Sequence, residues 1–327
     1  MMRVIVKASP NVALAKYWGK RDSRLNLPFT GSLSITLGGL ETVADIQLTG
    51  SGDDEVGFDG VPAGAMHSRR ISDFLDLVRR MAGRRERARV NLVSNFPVAA
   101  GIASSASVFA ALAVGAARAY DLDYNPQQLS ILARRGSGSA SRSLYSGFAE
   151  WLPGKAADGS DSFAVQIAPP QHWPLGVVVA VTDTQPKSIG SREGMAQAVQ
   201  HSPFFRAWCD SHTADLDEIR EGIRSRDLHR VGTVAEHNCL KMHAICLGAQ
   251  PPLLYWRPAT LAVMERVRSL RDEGQEAYFT IDAGPQVKVI CPMPQRGLVA
   301  AALASVPGVQ QVLLSEPGPA PQILEAV

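Results

Sequence analysis

The sequence predicts an α+β protein in two parts, a helix-and-sheet N-terminal half and an α+β C-terminal half. Three observations carry that expectation. Short runs rich in β-branched residues, broken by Gly and Pro, dominate the first ninety residues. Four helical patterns follow one another between residues 188 and 274, and the change of pattern falls near 175–185. A chain of 327 residues is also long enough for one large or two medium domains, each with a sizeable core.

In chain order, strands are expected at 3–8, 11–18, 32–38 and 42–48. Residues 69–84 place Ile71, Phe74, Leu75, Val78 and Met81 at helical spacing, which predicts a basic amphipathic helix with solvated arginines. A strand at 88–95 leads through a Gly/Ser/Ala loop into a small-residue helix over about 105–120. A helix at about 126–135 and a second Gly/Ser cluster, residues 136–142, come next. The second half opens on an apolar strand near 175 and continues with helices at 188–200, 203–225, 227–248 and 257–274. Strands over AYFTID and QVKVIC, a helix at 294–304 and a strand VQQVLL close it, with no internal repeat.

Composition bounds the function. Thirty-three Lys+Arg against 31 Asp+Glu leave +2, which argues against a dedicated nucleic-acid or membrane-surface binder. Cys209, Cys239, Cys246 and Cys291 include no C-x-x-C pair, so reduced thiols in a cytoplasmic protein are expected. The N-terminal MMRVIVKASP lacks the apolar region of a signal peptide, and no stretch reaches the length of a membrane span.

Four segments carry candidate chemistry. In Pro97–Ala106, small residues let backbone N–H groups approach an anion at a helix N-terminus, and Ser104 or Ser105 offers a hydroxyl to Mg²⁺; a serine-capped turn fits the same composition. Neither the Walker A spacing nor the dinucleotide G-x-G-x-x-G spacing is met. The cluster Gly136–Arg142 adds a guanidinium to hydroxyls and free amides, or is a plain loop with an exposed Arg. Lys16–Arg21 mixes cations and aromatics after an apolar strand, as phosphate ligands or as snorkelling surface lysines. Asp282, before Ala283 and Gly284, stands at a strand end, where a carboxylate serves as a base or as a turn former. Cys239, His243 and Cys246 share a helix face with Val231, Ala235 and Met242, so that stripe reads as packed core rather than as a metal site.

Taken together, ASPNVALAKYWGKRD, NFPVAAGIASSASVFAALA, RRGSGSASRSLYSGFAEW, IGSREGM, HSPFFRAW, AEHNCLKMHA, PPLLYW and FTIDAGP follow the order seen in the diphosphomevalonate decarboxylase family of the GHMP (galactose, homoserine, mevalonate, phosphomevalonate) kinase superfamily. The resemblance spans about residues 4–315. It implies the two-domain GHMP kinase fold: an N-terminal domain like ribosomal protein S5 domain 2 over 1–182, a ferredoxin-like C-terminal domain over 183–327, and an active site in the cleft between them. It implies that ATP, with Mg²⁺, phosphorylates the 3-hydroxyl of mevalonate 5-diphosphate, and that loss of phosphate and CO₂ then gives isopentenyl diphosphate.

The family's roles map onto matching positions. Asp282 is expected as the base, Lys16 as its neighbouring cation and Arg142 as the clamp on the substrate carboxylate. Tyr17, Lys20, Ser139, Ser191 and Arg192 match diphosphate ligands. Ser94, Asn95, Gly101, Ala103, Ser104, Ser105 and Ser107 match the nucleotide site, with Ser105 beside the metal. A homodimer and a small-molecule substrate are implied, with neither nucleic acid nor membrane as partner. Three departures stand out: Gln286 after DAGP, where an Asn is usual and a longer amide is expected to shift the loop; Ser141 in place of a frequent Cys; and Phe29 and Gly31 in a segment that lines the substrate side in relatives. Sister enzymes that decarboxylate mevalonate 5-phosphate, or that phosphorylate the 3-hydroxyl without decarboxylating, are the rival expectation; a non-catalytic GHMP-fold binding protein is disfavoured by the intact Lys16, Asp282 and Arg142.

Overall fold

The structure is a computed structural model that describes residues 2–50, 52–97, 104–185 and 188–327. The N-terminal part runs β1 (Arg3–Ala8), β2 (Asn11–Ala15), β3 (Lys20–Asp22), β4 (Leu27–Pro28), β5 (Ser32–Thr36), β6 (Thr42–Thr49), β7 (Glu55–Phe58), β8 (Val61–Pro62), α1 (Ala65–Ala82) and β9 (Arg87–Ser94). It continues with α2 (Ser104–Ala119), α3 (Pro126–Gly136), a 3₁₀ turn at Gly138–Leu144, β10 (Phe148–Trp151) and β11 (Ala164–Ala168). The C-terminal part holds β12 (Leu175–Val181), α4 (Ser191–His201), α5 (Phe205–Ser225), α6 (Leu228–Leu247), α7 (Pro258–Asp272), β13 (Tyr278–Ile281), β14 (Val287–Pro292), α8 (Arg296–Ala304), β15 (Gln311–Ser315) and β16 (Gln322–Ala326).

Two sheets build the first part. One has the order β16-β1-β6-β9-β7-β8, antiparallel except for β7 beside β9, and the other has the order β11-β10-β5-β2. Alternation along β6 buries Ala44, Ile46 and Leu48 under α1 and α2, as expected for a sheet with one covered face. Helix α2 is made of small residues and buried nearly all round, because it lies between that sheet and the 3₁₀ turn. The second part is the antiparallel sheet β13-β14-β12-β15, whose Val178, Ala180, Val287 and Val289 share a core with α6, α7 and α8.

The pairing moves one strand across the expected boundary. Residues 175–181, left with the first domain by a division after 182, are hydrogen-bonded between β14 and β15. Composition marks where the pattern changes, but strand pairing decides membership, so the first unit ends before Leu175. In the opposite direction, β16 returns to pair with β1.

Helix α1 also corrects an expectation. Arg79 is only 4% exposed, its Nη2 donating to Asp54 (2.7 Å) and Asp76 (2.6 Å), and Arg70 turns toward a cleft. Met81, placed on the apolar face by its spacing, is exposed in the last turn before the left-handed cap at Gly83. The expected strand 11–18 stops at Ala15, which frees Lys16, Tyr17 and Trp18 from the ladder. Gly19 then turns the chain at φ +97, and a Cβ there would meet Phe205 at 2.6 Å.

Candidate active site

A cleft of about 550 Å³ lies between the two parts. Lys16, Tyr17 and Arg142 line it from the first part, and Ser191, Arg192, Met195, Met242 and Asp282 from the second.

At its floor stands Asp282, on the turn that ends β13. Cys239 of α6 fixes the preceding backbone: its Sγ accepts from the Ile281 N–H at 3.1 Å and donates to the Ile281 carbonyl at 3.3 Å. Lys16 Nζ reaches one carboxylate oxygen at 2.8 Å and Lys288 Nζ the other at 3.0 Å. Both lysines are buried, whereas a quarter of the Asp282 side chain stays open to the cleft. Burial alone pushes the Asp282 carboxyl up, but the two ammonium groups outweigh it and hold its pKa well below the usual carboxylate range. Burial likewise lowers the Lys288 pKa, with Asp282 opposing the shift. Asp282 is therefore ionised at any working pH, with its free lone pairs aimed into the cleft.

Lys288 escaped the motif reading. In QVKVIC a lysine between apolar residues looks like the solvent-facing position of a half-buried strand, but β14 is an inner strand buried on both faces. A lone cation in so apolar a strand was the available signal.

Arg142 lies within the 3₁₀ turn and is 2% exposed. Its Nε donates to Ser34 Oγ at 2.9 Å, its Nη1 to Ser32 Oγ, and its Nη2 to Asn11 Oδ1 at 3.1 Å. All three partners are neutral. Burial lowers its pKa to about 10, with Asp282 opposing, so the guanidinium stays charged and forms no ion pair among the described residues. A buried cation held in place by neutral acceptors is a prepared receptor for a carboxylate. Ser32, Ser34 and Asn11, which orient it, were not singled out from the sequence. Phe29 and Gly31, expected on the substrate side, lie elsewhere: Phe29 is exposed against Phe205, and Gly31 faces Leu216 and the Trp151 carbonyl.

At the far end, Lys20 Nζ donates to Asn26 Oδ1 at 2.6 Å, and burial together with Arg192 and Arg70 lowers its pKa to about 8. Tyr17 lies under the 3₁₀ turn so closely that a Cβ on Gly138 would meet its ring at 2.7 Å. Its buried hydroxyl has no protein partner among the described residues. Ser139 lines the same end, as do Ser137 and Arg70, which the sequence reading did not assign. Ser191 and Arg192 open α4, whose Gly190 cap supplies no side-chain acceptor, so the free N–H groups there suit an anion.

The expected nucleotide residues separate into groups. Gly101 and Ala103 lie outside the described residues. Ser104 begins α2, and Ser105 faces the cleft with its Oγ 3.2 Å from Ser137 Oγ. Ser107 is a correction: it is fully buried and its hydroxyl is taken up by Thr42 Oγ1 (2.7 Å) and the Ser104 carbonyl (3.1 Å). Ser94 bonds Thr42 at 2.9 Å, and Asn95 ties the Gly39–Glu41 turn by accepting from Glu41 N and donating to the Gly39 carbonyl. These two side chains are spent on holding the end of β9 to Thr42 and to the Gly39–Glu41 turn. Gln286 is buried, accepting from Thr182 N at 2.6 Å and donating to the Asp183 carbonyl, so it ties the loop after Asp282 to the end of β12. The Cys239–His243–Cys246 face is buried core, and among the described residues no group of three or more His, Cys, Asp or Glu stands ready for a metal.

A two-part α/β molecule with a cationic cleft, a small-residue helix opening at Ser104 and a carboxylate gripped by lysine belongs to the GHMP kinase class of phosphoryl-transfer folds. Within that class, residues 8–164 match the diphosphomevalonate decarboxylase-like N-terminal domain and residues 177–316 the mevalonate 5-diphosphate decarboxylase C-terminal domain. The chain belongs to the diphosphomevalonate decarboxylase family. It is 34% identical to the human diphosphomevalonate decarboxylase, over 98% of this chain and 94% of the relative. It is similar to the mevalonate diphosphate decarboxylase of Staphylococcus aureus (TM-score 0.94, 35% identity, 99% of both chains). A third relative, MDDEF solved in complex with MVAPP, AMPPCP and magnesium, gives TM-score 0.93 at 36% identity, covering 99% of this chain and 100% of that one.

Proposed function

We propose that this chain converts mevalonate 5-diphosphate to isopentenyl diphosphate, with release of ADP, phosphate and CO₂, through phosphorylation of the 3-hydroxyl. The observation that carries the proposal is the pairing of two opposed groups across one cleft: Asp282 between two lysines, and Arg142 buried without an anion. Solved relatives bound to MVAPP and to AMPPCP with magnesium support the choice of substrates.

Asp282 orients the tertiary hydroxyl and takes its proton as the oxygen bonds to phosphorus; its low pKa makes it a poor base toward a free alcohol, so the proton moves with the transfer and not before it. Lys16, donating to Asp282 and to the Ala13 carbonyl, holds that carboxylate in register. Arg142 grips the substrate carboxylate in the plane that lets CO₂ depart opposite the 3-phosphate. Tyr17, Lys20, Ser139, Ser191 and Arg192 hold the 5-diphosphate. MgATP supplies the phosphoryl group. Ser105 fits a hard cation as a single oxygen ligand, in keeping with Mg²⁺ bound chiefly through phosphates.

No helix among the described residues is long and apolar enough to cross a membrane, and the four cysteines are free, which supports the proposed cytoplasmic location. The test measures ADP and CO₂ together from purified protein with MgATP and either mevalonate 5-diphosphate or mevalonate 5-phosphate. Equal release of both products from the diphosphate is expected. ADP without CO₂ would make it a 3-kinase, and turnover confined to the monophosphate would overturn the substrate.

A further inference from the structure

A second cavity, of about 220 Å³, adjoins the cleft at the Lys20–Arg192 end and shares Asn26, Arg70, Asp73 and Arg192 with it. Five guanidinium groups line it, from Arg24, Arg70, Arg80, Arg135 and Arg192, against the single carboxylate of Asp73. None of the five forms an ion pair among the described residues, whereas nearby Arg79, Arg84, Arg87 and Arg89 each hold a carboxylate within 3.1 Å. This stretch of chain is therefore not short of acidic partners; the five are left without them. Two further carboxylates act on the five only at longer range: Asp22, which accepts from Leu25 N at 2.7 Å, offsets part of the lowering at Arg135, and Asp76, bound by Arg79 and Arg87, also feels Arg80.

The floor of this annex is fixed. Arg70 donates to the Gly136 carbonyl at 3.0 Å and lies over the Phe109 ring at 4.5 Å, and Asn26 holds the Arg134 and Arg135 carbonyls. Arg24, Arg80 and Arg192 form an exposed rim. The crowding is felt: burial, then Arg24 and Arg80, lower the Arg135 pKa, and burial with Arg192 brings Arg70 to about 10. Like charges gathered around a concave floor attract an anion, and planar forks suit phosphate oxygens. A volume under half that of the cleft fits one phosphate or diphosphate group, not a second nucleotide.

We propose that this annex is a second anion subsite, which takes a phosphate or diphosphate group beside an occupied catalytic cleft and competes with the bound substrate for the exposed Arg192 guanidinium that borders both cavities. An anion there acts as a mixed inhibitor, not a competitive one.

The test titrates inorganic diphosphate, in Mg²⁺-free buffer, into protein whose cleft is already saturated with mevalonate 5-diphosphate, and follows the heat. Only the blocking ligand rests on the function proposed above: if mevalonate 5-diphosphate itself fails to bind, that reading fails, and the annex is then read from diphosphate binding alone. Wild type is expected to bind one further diphosphate. Arg24→Ala/Arg80→Ala, both on the exposed rim, weakens that event at least tenfold while kcat and KM stay within twofold, and Arg24→Lys/Arg80→Lys restores part of it. No binding to the saturated protein, purely competitive inhibition, or equal affinity in the double alanine variant would each overturn the proposal.

Discussion

The carboxylate of Asp282 shows how two effects of opposite sign are set against each other within one side chain. Burial disfavours its charge, and two ammonium groups at 2.8 and 3.0 Å restore it. Removing one cation without changing the volume isolates its share. Lys288→Met should lower kcat and, by raising the Asp282 pKa by about one unit or more, bring an acid limb into the kcat/KM profile closer to neutral than in wild type, since a close opposite charge is worth roughly that much. A fall in kcat with acid-side profiles that superimpose would mean that Lys288 only fills space. On the alkaline side the sign reverses. Lys20, near 8, is a cation that binding needs and that rising pH removes, so kcat/KM for the diphosphate substrate should decline above about pH 8. In Lys20→Arg that limb should disappear whatever the change in absolute rate; its persistence would assign the titration to another group. Lys16, Arg142 and Asp282 sit in short segments that composition singled out, but composition left each beside a bland reading, and only the family resemblance implied their roles. Lys288 was not singled out, because one strand's alternation does not reveal whether its second face is covered.

Among the elements, α3 and the 3₁₀ turn behind it divide stability from function. Asn125 closes a capping box with Gln128, and Pro126 opens the helix. Asn125→Ala should cost about 1 kcal/mol in urea unfolding with KM unchanged. Gly138→Ala belongs to the same stretch but should act differently: the added Cβ has to displace the Tyr17 ring, so KM for the diphosphate substrate should rise about tenfold while KM for ATP holds. Equal effects on both would place the damage in the fold. Long helices were legible from their period, α5, α6 and α7 within a few residues of their ends. The strands β3, β4, β7, β8, β10, β11 and β16 went unseen. Each is five residues or fewer, and partners such as β1 for β16 are supplied from the other end of the chain.

At the scale of the molecule, the halves that the sequence separates share one interior. Val12, Leu14, Leu33 and Ile35 of the first part pack with Val177, Leu216, Ile219 and Val231 of the second. Asn238 of α6 accepts the Lys16 N–H at 2.8 Å while donating to Asp215, and buried His212, its pKa lowered to about 4 by burial, bonds the Gly31 carbonyl. Arg220 of α5 pairs with Glu150 of β10 at 2.8 Å. The catalytic pair is itself such a crossing, for Lys16 and Asp282 stand 266 positions apart. A site assembled across the interface exists only when both parts are folded and joined, so the two should unfold as one cooperative unit. Urea titration followed by far-UV circular dichroism and by tryptophan fluorescence should give coincident transitions, and saturating substrate should shift both together. Trp18, Trp151 and Trp173 precede β12 and Trp208 and Trp256 follow it, so the fluorescence samples both parts, and two separated transitions, or a substrate shift confined to one of them, would show that the shared core does not couple the parts.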